Sequence, residues 1–127
     1  MERIIEKQLS FSRLELKITA VGEDCHLLFS GGDRPHIGCC VLAVPRPSLT
    51  GNGSISCTSS VINVTGHKDE EICRFLAERA AMACGAVTVC TGGFHVDSIS
   101  AEQLKEVMEA VKEMETRMHS MIREEFR

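Results

Sequence analysis

The sequence contains no tryptophan and no tyrosine, and only 5 phenylalanines in 127 residues. Such a chain is nearly transparent at the usual protein absorption band, so any bound chromophore would dominate its spectrum. Positive charge is also in short supply: 14 Lys and Arg stand against 18 Asp and Glu, a net charge of −4. Nucleic-acid readers are usually basic, so no nucleic-acid partner is expected. No apolar run approaches the length of a membrane span, so no membrane partner is expected either. The stretch Met1–Lys7 is charged and lacks the apolar core of a secretion signal, which makes the cytoplasm the expected location. Internal repeats, linkers and low-complexity tracts are absent, and 1–127 reads as a single domain large enough for a real core.

The common signatures of covalent and metal chemistry are missing too. The 7 cysteines are odd in number and include no Cys-x-x-Cys pair, which argues against a disulfide framework or a thiolate zinc site. They read as small buried hydrophobes in a reducing compartment. There is no Gly-x-x-x-x-Gly-Lys phosphate loop and no Gly-x-Ser-x-Gly nucleophile elbow. His36, His67 and His95 each sit in a glycine-containing stretch near Asp33, Asp69 or Asp97, but no His-x-His or His-x-x-x-His pair exists and no metal is expected.

What is present is patterning. Leu14–Val21 alternates apolar with polar, the mark of a half-buried strand, and Gly22-Glu23-Asp24 turns it back into Cys25–Ser30. Gly31–His36 reads as a loop. Ile37–Val44 is nearly all apolar and predicts a central strand covered on both faces, stopped by Pro45-Arg46-Pro47. Ser54–Val64 is a Ser/Thr-rich strand. Ile72, Phe75, Leu76, Ala80 and Ala83 then fall on one face of a helix that Gly85 ends. Ala86–Thr91 is the last strand, Gly92–His95 a loop, and Ser100-Ala101-Glu102-Gln103 a capping box. The closing helix carries a stripe of Leu104, Val107, Met108, Val111, Met114, Met118, Met121 and Ile122. This order predicts an α+β fold, a mainly antiparallel sheet with two helices on one face and one parallel pair from the strand–helix–strand unit. The other face is apolar enough to expect a second copy of the chain over it, a homodimer.

Two stretches concentrate candidate chemistry. Gly31-Gly32-Asp33-Arg34-Pro35-His36-Ile37-Gly38 supplies glycines for close backbone approach, a guanidinium and an imidazole, and Arg46 and Ser48 leave the following strand at its other end. Those arginines lie about 25 Å apart by strand rise, too far to share one phosphate within a protomer. Thr65-Gly66-His67-Lys68 opens the first helix, where free amides favour an anion, although Asp69-Glu70-Glu71 follows directly.

Taken in order and spacing, Gly31–Gly38, Pro45-Arg46-Pro47-Ser48, Thr65-Gly66-His67-Lys68-Asp69 and Cys90-Thr91-Gly92-Gly93-Phe94-His95 resemble the LpdD-like small proteins that accompany bacterial gallate and related phenolic-acid decarboxylases. The resemblance runs from about Leu9 to Val111. It implies a non-catalytic prenylated-flavin chaperone, holding prenylated FMN, or FMN, between the flavin prenyltransferase that makes it and the decarboxylase that uses it. It also implies a fold similar to that of proteasome-assembly-chaperone subunits, commonly paired. On that reading the cofactor-binding candidates are Gly32, Arg34, His36, Arg46, Ser48, Thr65, Gly66, His67, Lys68, Gly92, Gly93 and Phe94. The phosphate is expected on Arg34, Arg46 or Lys68, and the ring on Gly92, Gly93 and Phe94. Two alternatives stay open: a small enzyme assisting cofactor oxidation through His36, His67 or a cysteine, and an accessory subunit that stabilises the decarboxylase without cofactor.

Overall fold

The computed structural model describes residues 1–64 and 67–125, the side chains of 67 and 68 excepted. Six strands, β1 (Glu2–Gln8), β2 (Arg13–Val21), β3 (Asp24–Gly32), β4 (Cys39–Pro47), β5 (Ile55–Asn63) and β6 (Thr88–His95), form one sheet in the order β1-β2-β3-β6-β4-β5. Helices α1 (His67–Cys84) and α2 (Ala101–Glu125) cover one face. All neighbours are antiparallel except β3 and β6.

Alternation decides which face meets the helices. In β2, Leu14, Leu16 and Ile18 are buried while Glu15, Lys17 and Thr19 face the other way, and β3 repeats the pattern with Cys25, Leu27 and Phe29 inside. Each large apolar side chain so buried contributes roughly 1.5–3 kcal/mol. From α1 come Ile72, Cys73, Leu76, Ala77, Ala80 and Ala81, and from α2 Val107, Ala110, Val111, Met114, Met118 and Ile122. Met114 and Met118 are therefore core residues, while Met108 and Met121 pack at its margin. The caps are as the sequence predicts. Gly85 leaves α1 at φ 64°. At α2 the Gln103 amide donates to Ser100 Oγ at 3.1 Å and the Ser100 amide to Gln103 Oε1 at 2.9 Å, a reciprocal capping box.

Five expectations need correction. An edge strand, β1, precedes the predicted ones; its only buried residue is Ile5, so hydrophobic patterning does not reveal it. β4 continues through Pro45, Arg46 and Pro47, because its pairing with β6 ends at Ala43↔Thr88 and a proline beyond that point gives up no bond to β6. β4 is not covered on both faces of the protomer: Leu42 and Val44 are 39% and 42% exposed, and Ile37 lies in a loop. Gly92, Gly93 and Phe94 belong to β6 rather than to a loop, and β6 inserts between β3 and β4. The parallel pair thus joins β6 to β3, not to the strand that precedes α1.

Candidate functional site

Insertion of β6 brings separate sequence motifs to one end of the sheet. The parallel register sets Gly31 beside Phe94 and Gly32 beside His95. The loop 33–38 crosses this end, and β5 finishes there at Asn63, shortly before α1 begins at His67.

The pivot is Asp69, in the first turn of α1 and only 6% exposed. Its Oδ1 accepts the Phe94 backbone amide at 2.9 Å, and its Oδ2 lies 3.0 Å from His36 Nε2. The other ring nitrogen of His36, Nδ1, is 3.0 Å from the Arg34 carbonyl. The imidazole therefore bridges two oxygens, the Arg34 carbonyl on one side and the Asp69 carboxyl on the other. A carboxylate on the helix thereby ties the 33–38 loop to the end of β6. The glycines make room for this pair. A Cβ at Gly38 would collide with Asp69 Oδ2, and one at Gly93 would lie 2.8 Å from His36 Nε2 and 2.9 Å from Asp69 Oδ2. A Cβ at Gly92, whose φ is 131°, would collide with the Phe29 carbonyl of the parallel neighbour, and one at Gly32 with the His95 carbonyl. These glycines admit other parts of the chain, a closer approach than the ligand contact expected of them.

Outside this part-buried clamp lies a more exposed one. Arg34 Nη2 is 2.9 Å from Asp97 Oδ1 and 2.9 Å from His95 Nε2, and His95 Nε2 is itself 2.8 Å from the same Asp97 oxygen. His95 Nε2 can donate to Asp97 or accept from Arg34, but not both, so two arrangements compete. The His95 hydrogen bond, with the Arg34 charge beside it, holds the Asp97 carboxyl below its usual range. The Arg34 and Asp97 side chains are 68% and 73% exposed. Exposed pairs of this kind contribute little. A phosphate, which forms stronger charge-assisted and bidentate bonds with a guanidinium, can take Arg34 from Asp97. Behind His95 a cleft of about 220 Å³ opens between the helices and the end of β6, lined by Asp69, Ile72, Phe94, His95, Val96, Ile99, Leu104 and Val107. Phe94 also meets Phe11 edge to face, with centroids 6.4 Å apart, so its ring is held from behind.

Arg46 and Ser48 are elsewhere. Arg46 lies seven residues beyond Cys39 on β4, roughly 23 Å at the usual strand rise. It donates to Thr58 Oγ1 at 2.8 Å and to the Pro47 carbonyl at 3.2 Å, and among the described residues meets no carboxylate. Ser48 closes the β4–β5 hairpin through its own amide to the Ser54 carbonyl at 2.9 Å and its hydroxyl against Thr50. A shallow cavity of about 420 Å³ lies under that hairpin, next to Gly85. Of the expected cofactor residues, then, Gly32, Arg34, His36, Gly92, Gly93 and Phe94 converge and Arg46 and Ser48 do not. Thr65 and Gly66, with the side chains of His67 and Lys68, lie outside the described residues.

Asp69 and Asp97 were absent from the expected set. Asp69 sits at the third position of a helix, where an acid reads as a dipole partner, and nothing local to Asp97 announces Arg34, sixty-three residues away. Among the described residues no group of three His, Cys, Asp or Glu side chains stands close enough to hold a metal ion. Beneath the clamp, burial pushes the Cys39 thiol up strongly. A hydrogen bond to Cys90, together with burial, does the same for Cys73. Such thiols stay protonated and are poor nucleophiles.

Comparison with known proteins fits this architecture. The fold is similar to that of a chain in a crystal structure titled as a novel chaperone complex for yeast 20S proteasome assembly. The TM-score is 0.52 at 12% identity, covering 95% of this chain and 98% of that one. At that identity the likeness concerns the fold alone. The sequence itself matches the family model described as a prenylated flavin chaperone LpdD-like domain over residues 10–123, and the chain belongs to that family. No curated protein matches it.

Proposed function

We propose that this protein holds prenylated FMN at the loop end of the sheet and passes it from a flavin prenyltransferase to a prenylated-flavin-dependent decarboxylase. The observation that carries this reading is the pairing of an exposed, exchangeable guanidinium, Arg34, with an apolar cleft directly behind its neighbour His95. The cofactor joins an anionic phosphate and polyol chain to a large apolar ring, so the two kinds of surface match its two parts. Arg34 would hold the phosphate, His95 would lie between phosphate and ring, and Phe94 would face the ring edge. The flavin supplies the reactive chemistry when delivered; the protein's part is to bind it, limit its contact with water and let it go. Of the groups named for an oxidising enzyme, His36 has both nitrogens engaged and Cys39 and Cys73 are buried and protonated, which supports a carrier, while Cys40, Cys57 and Cys84 are part-exposed.

The open sheet face supports pairing of two copies. On its β4–β5 half Cys40, Leu42, Val44, Ser56, Thr58, Ser60 and Ile62 form a band with Arg46 its only charge, and Ile62 is 73% exposed. The β1–β2 half is covered by its own pairs, Arg13 with Glu6 and Glu15 and Lys17 with Glu2. Depletion of charge marks the centre of protein interfaces. Light scattering at micromolar concentration is expected to give a dimer, and a monomer alone would remove this part of the reading.

The test of function is transfer. Protein coexpressed with a flavin prenyltransferase is expected to purify with a flavin spectrum, and to lose that spectrum when mixed with apo-decarboxylase that gains it. Stable copurification with the decarboxylase and no flavin would favour an accessory subunit instead.

A further inference from the structure

We infer that the cleft between α1, α2 and the end of β6 is a subsite for the isoprenoid-derived ring that distinguishes prenylated FMN from FMN, so that the protein selects the modified cofactor over its precursor. This rests on the reading above and adds a selectivity to it.

The lining carries the argument. Ile72, Phe94, Val96, Ile99, Leu104 and Val107 are apolar, and Asp69 and His95 are the polar members. Each oxygen of Asp69 already has a donor within the protein, Phe94 or His36, so its carboxylate is engaged in the clamp and the rest of the wall toward the helices is apolar. A polar group buried against that apolar wall would lose its water with little replacement. An apolar group would lose nothing. At about 220 Å³ the cleft is smaller than the pockets that enclose whole ligands, so it suits one part of a larger molecule whose remainder lies outside. The polar remainder has a place beside it, because His95 both lines the cleft and touches Arg34.

The walls are held in place before any ligand arrives. The turn between β6 and α2 bears the lone non-glycine residue with positive φ among those described, Ser98 at 53°. Ser100 is locked to Gln103 on the other side of Ile99. Phe94 is backed by Phe11. A preformed apolar recess loses little ordering entropy on binding. Plain FMN would fill the outer site and leave the recess empty or wet.

The experiment is anaerobic titration of the intact protein with prenylated FMN and, separately, with FMN, read by flavin absorbance and fluorescence. The parent is expected to prefer prenylated FMN by about tenfold or more, the worth of burying roughly two methylenes. Val96→Phe and, as a milder filling, Val96→Leu should move that ratio toward one, the larger side chain further. Circular dichroism and denaturation midpoints confirm that each variant is folded. Binding of both flavins with equal affinity by the parent overturns the inference while leaving the carrier reading intact. A preference that survives filling of the cleft overturns it too, by placing the selective contact elsewhere. Failure of the parent to bind either flavin removes the carrier reading and the inference together.

Discussion

The two ends of the sheet are built from similar letters and do different things. At one end Gly32, Arg34, His36, Gly92 and Gly93 are drawn into a network around Asp69 and Asp97. At the other, Arg46 rests on a threonine hydroxyl and a carbonyl, and the glycines of the β4–β5 hairpin stand in open space. Glycine and arginine by themselves therefore do not mark a ligand site. At the loop end the glycines are required by the chain's own close approach, and the proposed ligand contacts fall to what stays exchangeable outside that clamp, Arg34 and His95. At the hairpin end the same residue types serve a turn.

Substitutions can break this contrast. The largest effect is expected at Gly92, whose φ of 131° and contact with the Phe29 carbonyl leave no place for a Cβ. Gly92→Ala should cost about 3 kcal/mol or prevent folding, whereas Gly51→Ala, with φ 70° but nothing near its Cβ, should cost about 1 kcal/mol. Urea denaturation of the two variants measures the difference, and equal costs would mean that the loop end is not internally clamped.

Next in size is Asp69→Ala, which leaves the Phe94 amide and His36 without their acceptor. A loss of roughly 2–3 kcal/mol is expected, read from the thermal midpoint, and amide exchange at Phe94 should quicken with it. Arg46→Ala, at a half-exposed hydroxyl contact, should change stability by less than about 1 kcal/mol.

How far these features could be read in advance follows from their range along the chain. Period-two alternation in β2 and β3, the Ser100–Gln103 box and the Gly85 stop are local, and the sequence predicts them correctly. Strand β1 escapes because one buried side chain, Ile5, makes no pattern. Gly92-Gly93-Phe94 resembles a loop in composition, and only the β3–β6 register shows that the glycines are wanted by a neighbouring strand. The clamp itself joins residues such as His36 and Asp69, or Arg34 and Asp97, whose meeting depends on β6 entering between β3 and β4. Similarity of whole motifs to the LpdD-like proteins reaches the family without that geometry, but not the division between the two ends.

The smallest expected effect concerns pH. Asp97 has its pKa lowered by His95 and Arg34, so its contribution is present at neutral pH and is lost only as pH falls through the depressed value. Its exposed position makes the change in overall stability slight. Carboxyl NMR titration should show Asp97 protonating below the usual aspartate range, and Arg34→Ala should raise the Asp97 midpoint.

The central claim is that flavin is held at the loop end and not at the hairpin end. Its most direct test is equilibrium titration of prenylated FMN into the parent, Arg34→Ala and Arg46→Ala proteins under one set of conditions. A charge-assisted bond to phosphate predicts a loss of about tenfold or more for Arg34→Ala, with Arg46→Ala matching the parent. Binding lost in Arg46→Ala and kept in Arg34→Ala would contradict the account and move the site to the other end of the sheet.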